Sequence, residues 1–181
     1  MTDARPTGAR QKILAAAEEI AATAGPANLS LDAVAARAGV SKGGLLYHFP
    51  SKAKLLEAVV ERFMESFEEA LAALEKEKNG APNSLADAYL DLFLRDCQVG
   101  KRPPSGLLAA LAENPDFLAP VRRFQRAMLN RMKENAVDPT IAVVVFLAIQ
   151  GFRSLELLNL EIVTEAEIEA ATQKMRRLLV E

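Results

Sequence analysis

Residues 29–56 constrain the fold more than any other part of this 181-residue chain, because their helix start and stop signals lie at short, regular intervals. Ser30 is placed to cap a first helix by accepting a bond from a free backbone N–H. Gly39 ends that helix, since a left-handed residue costs least at glycine. Ser41 is placed to cap a second helix, and Pro50 stops it. Two short helices joined by a tight turn form a helix-turn-helix.

The second of these helices contains two adjacent glycines, Gly43 and Gly44, although each weakens a helix by roughly 1 kcal/mol relative to alanine. One interpretation is a surface turn that is glycine-rich by chance. The other is a helix whose first turn must approach another backbone closely, as in the major groove of duplex DNA. Its remaining outward positions carry Lys42, Leu46, Tyr47 and His48.

The run from Ala38 to Lys52, AGVSKGGLLYHFPSK, followed by Leu55 and Leu56, resembles the DNA-binding domain of TetR-type transcriptional regulators. The resemblance covers the first third of the chain, and the remainder agrees in length and helical character. It implies an all-helical homodimer whose small N-terminal domains bind a near-palindromic operator in double-stranded DNA. It also implies a larger C-terminal domain that binds a small-molecule effector, and a regulator that acts as a repressor.

The resemblance also assigns the DNA contacts. At or beside the base edges it places Lys42, Gly43, Gly44, Leu46 and His48, and on phosphates it places Ser30, Ser41, Tyr47 and Lys52. Lysine can donate to guanine and leucine can contact a thymine methyl, so these roles are chemically sensible. Position 44 is often a small hydroxyl residue in the family and position 46 is usually Tyr. The base preference of relatives therefore does not carry over.

The charge of the chain is divided unevenly along its length. Residues 1–54 contain seven Lys and Arg against four Asp and Glu, whereas the remaining residues carry 15 basic and 20 acidic side chains. A positive N-terminal part and an acidic body are consistent with phosphate contact at one end only.

Other kinds of site find little support in the sequence. With a single cysteine, Cys97, and a single histidine, His48, one chain cannot assemble a disulfide or a four-ligand Cys/His zinc site. These two residues lie in segments expected to be far apart, and no phosphate-binding glycine pattern is present. We therefore expect no catalytic residues, no metal and no cofactor. The rival hypotheses are a helical protein-binding adaptor without DNA activity and a regulator that needs no ligand.

The longest apolar run, Ile141–Ile149, has nine residues and is too short to span a bilayer. The first fifteen residues do not resemble a signal peptide. We expect a cytoplasmic protein without membrane contact. The same apolar run lies in a helix that is apolar on all sides and must be covered on all sides. The last two helices, at about 139–160 and 165–180, are therefore predicted to form a homodimer interface.

The pattern predicts an all-α protein of about nine helices, with a helix-turn-helix domain over residues 1–54 and an effector-binding and dimerisation domain over 55–181. A long helix should run from a cap at Ser51 to about Lys78. Ser84 with Asp87, and Thr164 with Glu167, resemble capping boxes. A short helix is predicted at 107–113.

The effector site is predicted from aromatic and methionine residues of the middle helices, which could line an apolar cavity or form an ordinary core. They are Tyr89, Phe93, Phe117, Phe124, Met128 and Phe146. Gln150 and Arg153 interrupt a strongly apolar helix. They could anchor a polar or anionic group of a ligand, or make hydrogen bonds across the dimer interface.

Overall fold

The computed structural model describes residues 8–23, 29–98, 118–158 and 160–180, and these contain helices and no strands. Eight helices are present in this part of the chain: α1 (Ala9–Thr23), α2 (Leu31–Ala38), α3 (Lys42–His48), α4 (Lys52–Glu77), α5 (Ser84–Gln98), α6 (Leu118–Asn135), α7 (Pro139–Leu157) and α8 (Glu165–Leu178). The all-α prediction is confirmed. The helix predicted at 107–113 lies outside the described residues.

The described residues form two compact units, one of residues 8–23, 29–64 and 118–121 and one of residues 65–98, 122–158 and 160–180. In the first unit, the largest fully buried side chains come from α1, the turn before α2, α3 and α4. They are Ile13, Leu29, Leu45, Leu55 and Leu56. The first turns of α4 thus belong to the core of the helix-turn-helix unit, which extends beyond the division predicted at residues 54 and 55.

The helix-turn-helix follows the caps expected from the sequence. Ser30 Oγ accepts a hydrogen bond from the Ala33 backbone N–H at 3.1 Å. Gly39 adopts a left-handed conformation with φ +66°, and Ser41 Oγ accepts from the Gly44 N–H at 3.0 Å. These local bonds fix where α2 ends and α3 begins, and so which residues of α3 point outward.

The second unit is built around α5, whose inward face supplies much of the core. Its largest fully buried side chains are Leu74, Leu85, Tyr89, Leu90, Phe93, Met132 and Ile149. Asp138 caps α7 by accepting from the Thr140 N–H at 2.7 Å, and Pro139 follows at the first helical position. The capping box of Thr164 and Glu167 is confirmed at the start of α8.

The capping box predicted at Ser84 and Asp87 is wrong. Ser84 is itself the first helical residue of α5, whereas a cap residue must have non-helical backbone angles. The hydroxyl of Ser84 instead donates to Asn135 Oδ1 at 3.1 Å. The carboxylate of Asp87 pairs with Lys78 and Arg176. Both side chains therefore hold neighbouring elements together.

Helix α7 buries one side and exposes another. Ala142 and Ile149 are fully buried, whereas Val144 and Leu147 are 49% and 61% exposed. By length and composition α7 would be able to cross a membrane, yet only 22% of its most apolar window is buried within the structure. The nine-residue run that was predicted to be too short for a bilayer thus lies in a 19-residue helix that meets the length criterion, as the core helix of a soluble protein also can.

Candidate functional site

Helix α3 divides into a buried side and a solvent-facing side. Leu45 is fully buried and Phe49, directly after the helix, is 3% exposed, whereas Leu46 and Tyr47 are 36% and 84% exposed. The ring of Tyr47 meets His48 edge-on, with 5.2 Å between ring centroids. A short helix anchored at Leu45 thus presents an aromatic, an imidazole and an apolar side chain on one surface.

The first turn of α3 is open and polar. A side chain added at Gly43 would meet no atom within 4 Å, whereas a Cβ at Gly44 would lie 3.2 Å from Ser41 Oγ. Glycine at position 44 therefore leaves room for the cap, and glycine at 43 leaves the backbone accessible. Lys42 Nζ lies 2.9 Å from Asp32 Oδ1, and both side chains are more than half exposed. Lys42 must exchange this partner to reach a nucleic acid.

The residues predicted to hold phosphates lie at or directly before helix N-termini, apart from Tyr47. Ser30 and Ser41 use an oxygen lone pair for their caps, which leaves each hydroxyl proton free to be donated. Lys52 is the first residue of α4, a position where backbone N–H groups and the helix dipole favour an anion. All nine predicted DNA-contact residues therefore belong to one compact unit.

In the second unit, several of the predicted effector residues lie close together around Tyr89. Tyr89 stacks on Phe146 with 6.1 Å between centroids, and its hydroxyl lies 3.4 Å from Gln150 Oε1. Burial raises the pKa of Tyr89 to about 12. The phenol is therefore neutral and able to donate near neutral pH.

Three further predicted residues, Phe93, Met128 and Phe124, can be placed in this unit. Phe93 is 1% exposed and Met128 is 4% exposed, and Phe124 meets Phe67 edge-on at 5.9 Å. Phe117 lies outside the described residues. In the part of the chain that is described, no group of three or more His, Cys, Asp or Glu side chains is placed to hold a metal ion.

Arg153 lies at the centre of these rings. Its guanidinium carbon is 5.2 Å from the centroid of Phe67 and 5.9 Å from those of Tyr89 and Phe93. Its Nη2 donates to Asp96 Oδ2 at 2.9 Å, and both side chains are only 13% exposed. Phe67 and Asp96 were not among the site residues predicted from the sequence. Asp96 could have been found from its place three residues after Phe93, on the same side of α5.

A separate open cleft lies beside the outer face of α6, with a volume of about 670 Å³. Its lining includes Arg122, Arg123, Arg126, Leu129 and Phe146. Phe146 thus contacts both the cleft and the buried rings. The arginines are exposed, as a solvent-facing helix surface requires.

Two family models match the chain. The model described as "Bacterial regulatory proteins, tetR family" matches residues 13–59. The model described as "Tetracyclin repressor-like, C-terminal domain" matches residues 83–180. A search of curated proteins gives no match.

Several solved structures share the fold over nearly their whole length. A transcriptional regulator from Rhodococcus sp. Rha1 superposes with a TM-score of 0.73 at 18% identity and covers 96% of each chain. The multidrug binding protein EbrR complexed with ethidium gives 0.69 at 25% identity, covering 94% of this chain and 98% of EbrR. A regulator from Aquifex aeolicus VF5 gives 0.61 at 22% identity, covering 96% and 98%. The chain belongs to the TetR family of bacterial transcriptional regulators, which bind DNA.

Proposed function

We propose that this regulator is a repressor that binds a near-palindromic operator as a homodimer and leaves the DNA when a small-molecule effector binds. The observation that carries the DNA part is the outward surface of α3, on which Tyr47 is 84% exposed while Leu45 is fully buried. A large aromatic residue exposed to this degree beside a polar, glycine-containing helix turn fits a surface that is covered in a complex.

The roles of the DNA-contact residues follow from their positions. Lys42, Leu46 and His48 on α3, with the open backbone at Gly43 and Gly44, read base edges. Ser30, Ser41, Tyr47 and Lys52 hold phosphates on either side of the groove. The phosphate contacts set affinity and its salt dependence, whereas the α3 contacts set the sequence preference.

An apolar stripe on α7 supports the homodimer. Val144, Leu147, Gly151 and Leu158 recur at spacings of three, four and seven residues, which places them along one side of a helix. A Cβ added at Gly151 would meet nothing within 4 Å, so a second helix can approach closely there. Two further apolar side chains, Ile162 three residues before α8 and Val180 two residues after it, are also exposed. We assign the interface to α7 and α8.

The ring cluster around Arg153 is the proposed effector site. EbrR is described as a multidrug binding protein and has been solved with ethidium and with malachite green. By analogy we assign the effector of this chain to aromatic molecules of similar size. Helix α4 contains both Phe67 of the cluster and Lys52, a proposed phosphate contact. An effector that displaces Phe67 would therefore act on the same helix that contacts DNA.

A gel mobility-shift titration with duplexes from around the regulator's own gene tests the proposal. At low salt we expect the protein to bind DNA in multiples of two protomers. Binding should weaken steeply as the salt concentration is raised. Ethidium or a related effector should release the protein from the DNA. Effectors are first screened by thermal shift. Failure to bind any such duplex would favour the protein-binding adaptor, and binding that no ligand changes would favour a ligand-independent regulator. A DNA-binding regulator of this family is expected to act in the cytoplasm.

A further inference from the structure

The guanidinium of Arg153 is held as proteins hold a bound organic cation. Three rings, Phe67, Tyr89 and Phe93, lie within 6 Å of it, which is the range in which the ring quadrupole attracts a cation. Asp96 supplies a carboxylate oxygen at 2.9 Å. Aromatic faces with one carboxylate form a binding site for a flat cation, and in this structure the site is filled by the protein's own side chain.

Negative charge exceeds positive charge in this cluster. Glu156 Oε1 lies 3.5 Å from Cys97 Sγ, next to Asp96 in the chain. The pKa of Cys97 is raised to about 12, first by burial and then by the charge of Glu156. Two carboxylates, those of Asp96 and Glu156, therefore accompany one guanidinium. An anionic ligand would add a third negative charge, whereas a cation would face the excess of carboxylates.

The fit of Arg153 to its surroundings is incomplete. Its Nε is buried and has no hydrogen-bond partner among the described residues. A buried donor without an acceptor carries the cost of its lost hydration. This cost makes displacement of the guanidinium from the site less unfavourable. Because the side chain is 13% exposed, one edge of the cluster reaches solvent, and a long flexible arginine side chain can move outward from that edge.

We propose that Arg153 is an intramolecular occupant of a site for flat aromatic cations, and that such a cation binds by displacing its guanidinium from the three rings and taking Asp96 as its counter-ion. This proposal rests on the proposed effector site. Tyr89 and Phe93 are each 1% exposed. Tyr89 already stacks on Phe146 and Phe93 on Phe152, so a ligand reaches their remaining faces only by exchange with Arg153. Arg153 then weakens binding by competing with the ligand.

Fluorescence titration of the full-length, DNA-free protein with ethidium tests this competition. Arg153→Met should bind ethidium roughly 30-fold more tightly than the wild type, since a desolvated cation–π contact is worth about 2 kcal/mol. Arg153→Lys keeps the positive charge, so its affinity for ethidium should be closer to that of the wild type. Arg131→Met, at an exposed position of α6, is the matched control and should leave the affinity unchanged. Adding Asp96→Asn to Arg153→Met should weaken binding by about the same factor.

A second measurement is made on the wild-type protein and needs a variant only for assignment. The Nε–H resonance of Arg153 in ¹⁵N-arginine-labelled protein, assigned by its loss in Arg153→Lys, should shift and exchange faster with solvent when ethidium saturates the wild type. An unshifted resonance at saturation would overturn the proposal even if Arg153→Met does not fold.

The remaining outcomes separate this proposal from the effector function itself. If Arg153→Met binds ethidium no more tightly than the wild type, Arg153 does not compete with the ligand and this proposal is wrong. The proposed effector site would not be contradicted by that result. Tight binding of 2-naphthoate by the wild type, lost in Arg153→Met, would instead make Arg153 an anchor for acids. If neither chain binds ethidium, the cation site is excluded, whereas release from DNA by other ligands would still support the effector function.

Discussion

Lys42 Nζ lies 2.9 Å from Oδ1 and 3.1 Å from Oδ2 of Asp32, so the first residue of α3 is paired with the first turn of α2. In the DNA-free protein this pair holds the Lys42 side chain against α2. A lysine that donates to guanine or phosphate must break it. Asp32 therefore stabilises the start of α2 while opposing the contact proposed for Lys42.

Asp32→Asn should strengthen DNA binding. Exposed pairs of this kind are worth up to about 1 kcal/mol, so we expect an affinity gain of no more than about fivefold, measured by fluorescence anisotropy with the operator duplex. Glu134→Gln removes the same charge from an exposed position of the second unit and should change the affinity less. Weaker binding by Asp32→Asn would show that the carboxylate positions Lys42 productively.

Lys52→Ala should weaken binding to all duplexes alike and make it less sensitive to salt. One lost phosphate contact lowers the slope of log K against log salt by about one unit. Titrations at four salt concentrations, on the operator and on an unrelated duplex, measure this slope. An unchanged slope would contradict the phosphate role. Tyr47→Ala, also a proposed phosphate contact, is the comparison, because it removes no charge and should leave the slope nearly intact.

Leu147→Glu should convert the dimer into monomers. In a two-fold interface each substitution occurs twice, and central apolar residues typically contribute at least about 2 kcal/mol. The dimer dissociation constant should rise at least about 30-fold, as measured by sedimentation equilibrium. Val137→Glu is the matched control, since Val137 is 70% exposed but lies before α7. A Leu147→Glu chain that remains dimeric would place the interface elsewhere.

Asp91 should contribute stability that is lost in acid. Burial alone would raise the pKa of Asp91, but hydrogen bonds from Lys78 and Arg176 outweigh it and hold this pKa below its ordinary value of 3.8. Because the pKa is lower in the folded than in the unfolded chain, the contribution is complete above the unfolded value and disappears as the pH falls through the folded one.

Urea unfolding of Asp91→Asn at several pH values measures this contribution. At pH 7 the free energy of unfolding of the variant should be about 1–2 kcal/mol below that of the wild type. The expected loss is small because solvent screens the charges of a partly exposed network. The difference should shrink as the pH is lowered below the ordinary aspartate pKa. A difference that stays constant down to the acid transition would mean that the pairing adds no pH-dependent stability.

The helix limits could be predicted from the sequence because they depend on bonds between near neighbours. Ser30 and Ser41 each bond to a backbone N–H three residues ahead, and Thr164 does the same at α8. The outward side of α3 follows from these limits. Most of the candidate DNA surface was therefore predictable from about twenty consecutive residues.

Contacts between distant segments could not be predicted in this way. Ser84 bonds to Asn135, 51 residues later, and this partner overrides the local capping pattern. Arg153 was recognised as unusual, but its partner Asp96 lies 57 residues away. The packing of α5 against α7 supplies this partner, and no pattern within either helix alone predicts the pair.

Asn83, directly before α5, combines a left-handed backbone with buried hydrogen bonds. Its φ is +63°, its Nδ2 donates to the Leu179 carbonyl at 2.7 Å, and its Oδ1 accepts from the Val137 N–H at 3.2 Å. One side chain thereby connects the start of α5 with the loop before α7 and the end of α8. Its backbone angle, outside the region most residues prefer, is maintained by these bonds.

Asn83→Ala should lose both bonds and retain the backbone strain, at a cost of about 2–4 kcal/mol in the free energy of unfolding. Asn83→Gly loses the same bonds, but glycine adopts a positive φ without a Cβ clash. It should therefore be less destabilised than the alanine variant by roughly 1 kcal/mol. Urea denaturation of the two variants beside the wild type separates the two contributions. If Asn83→Gly were less stable than Asn83→Ala, the positive φ at position 83 would not be a source of strain.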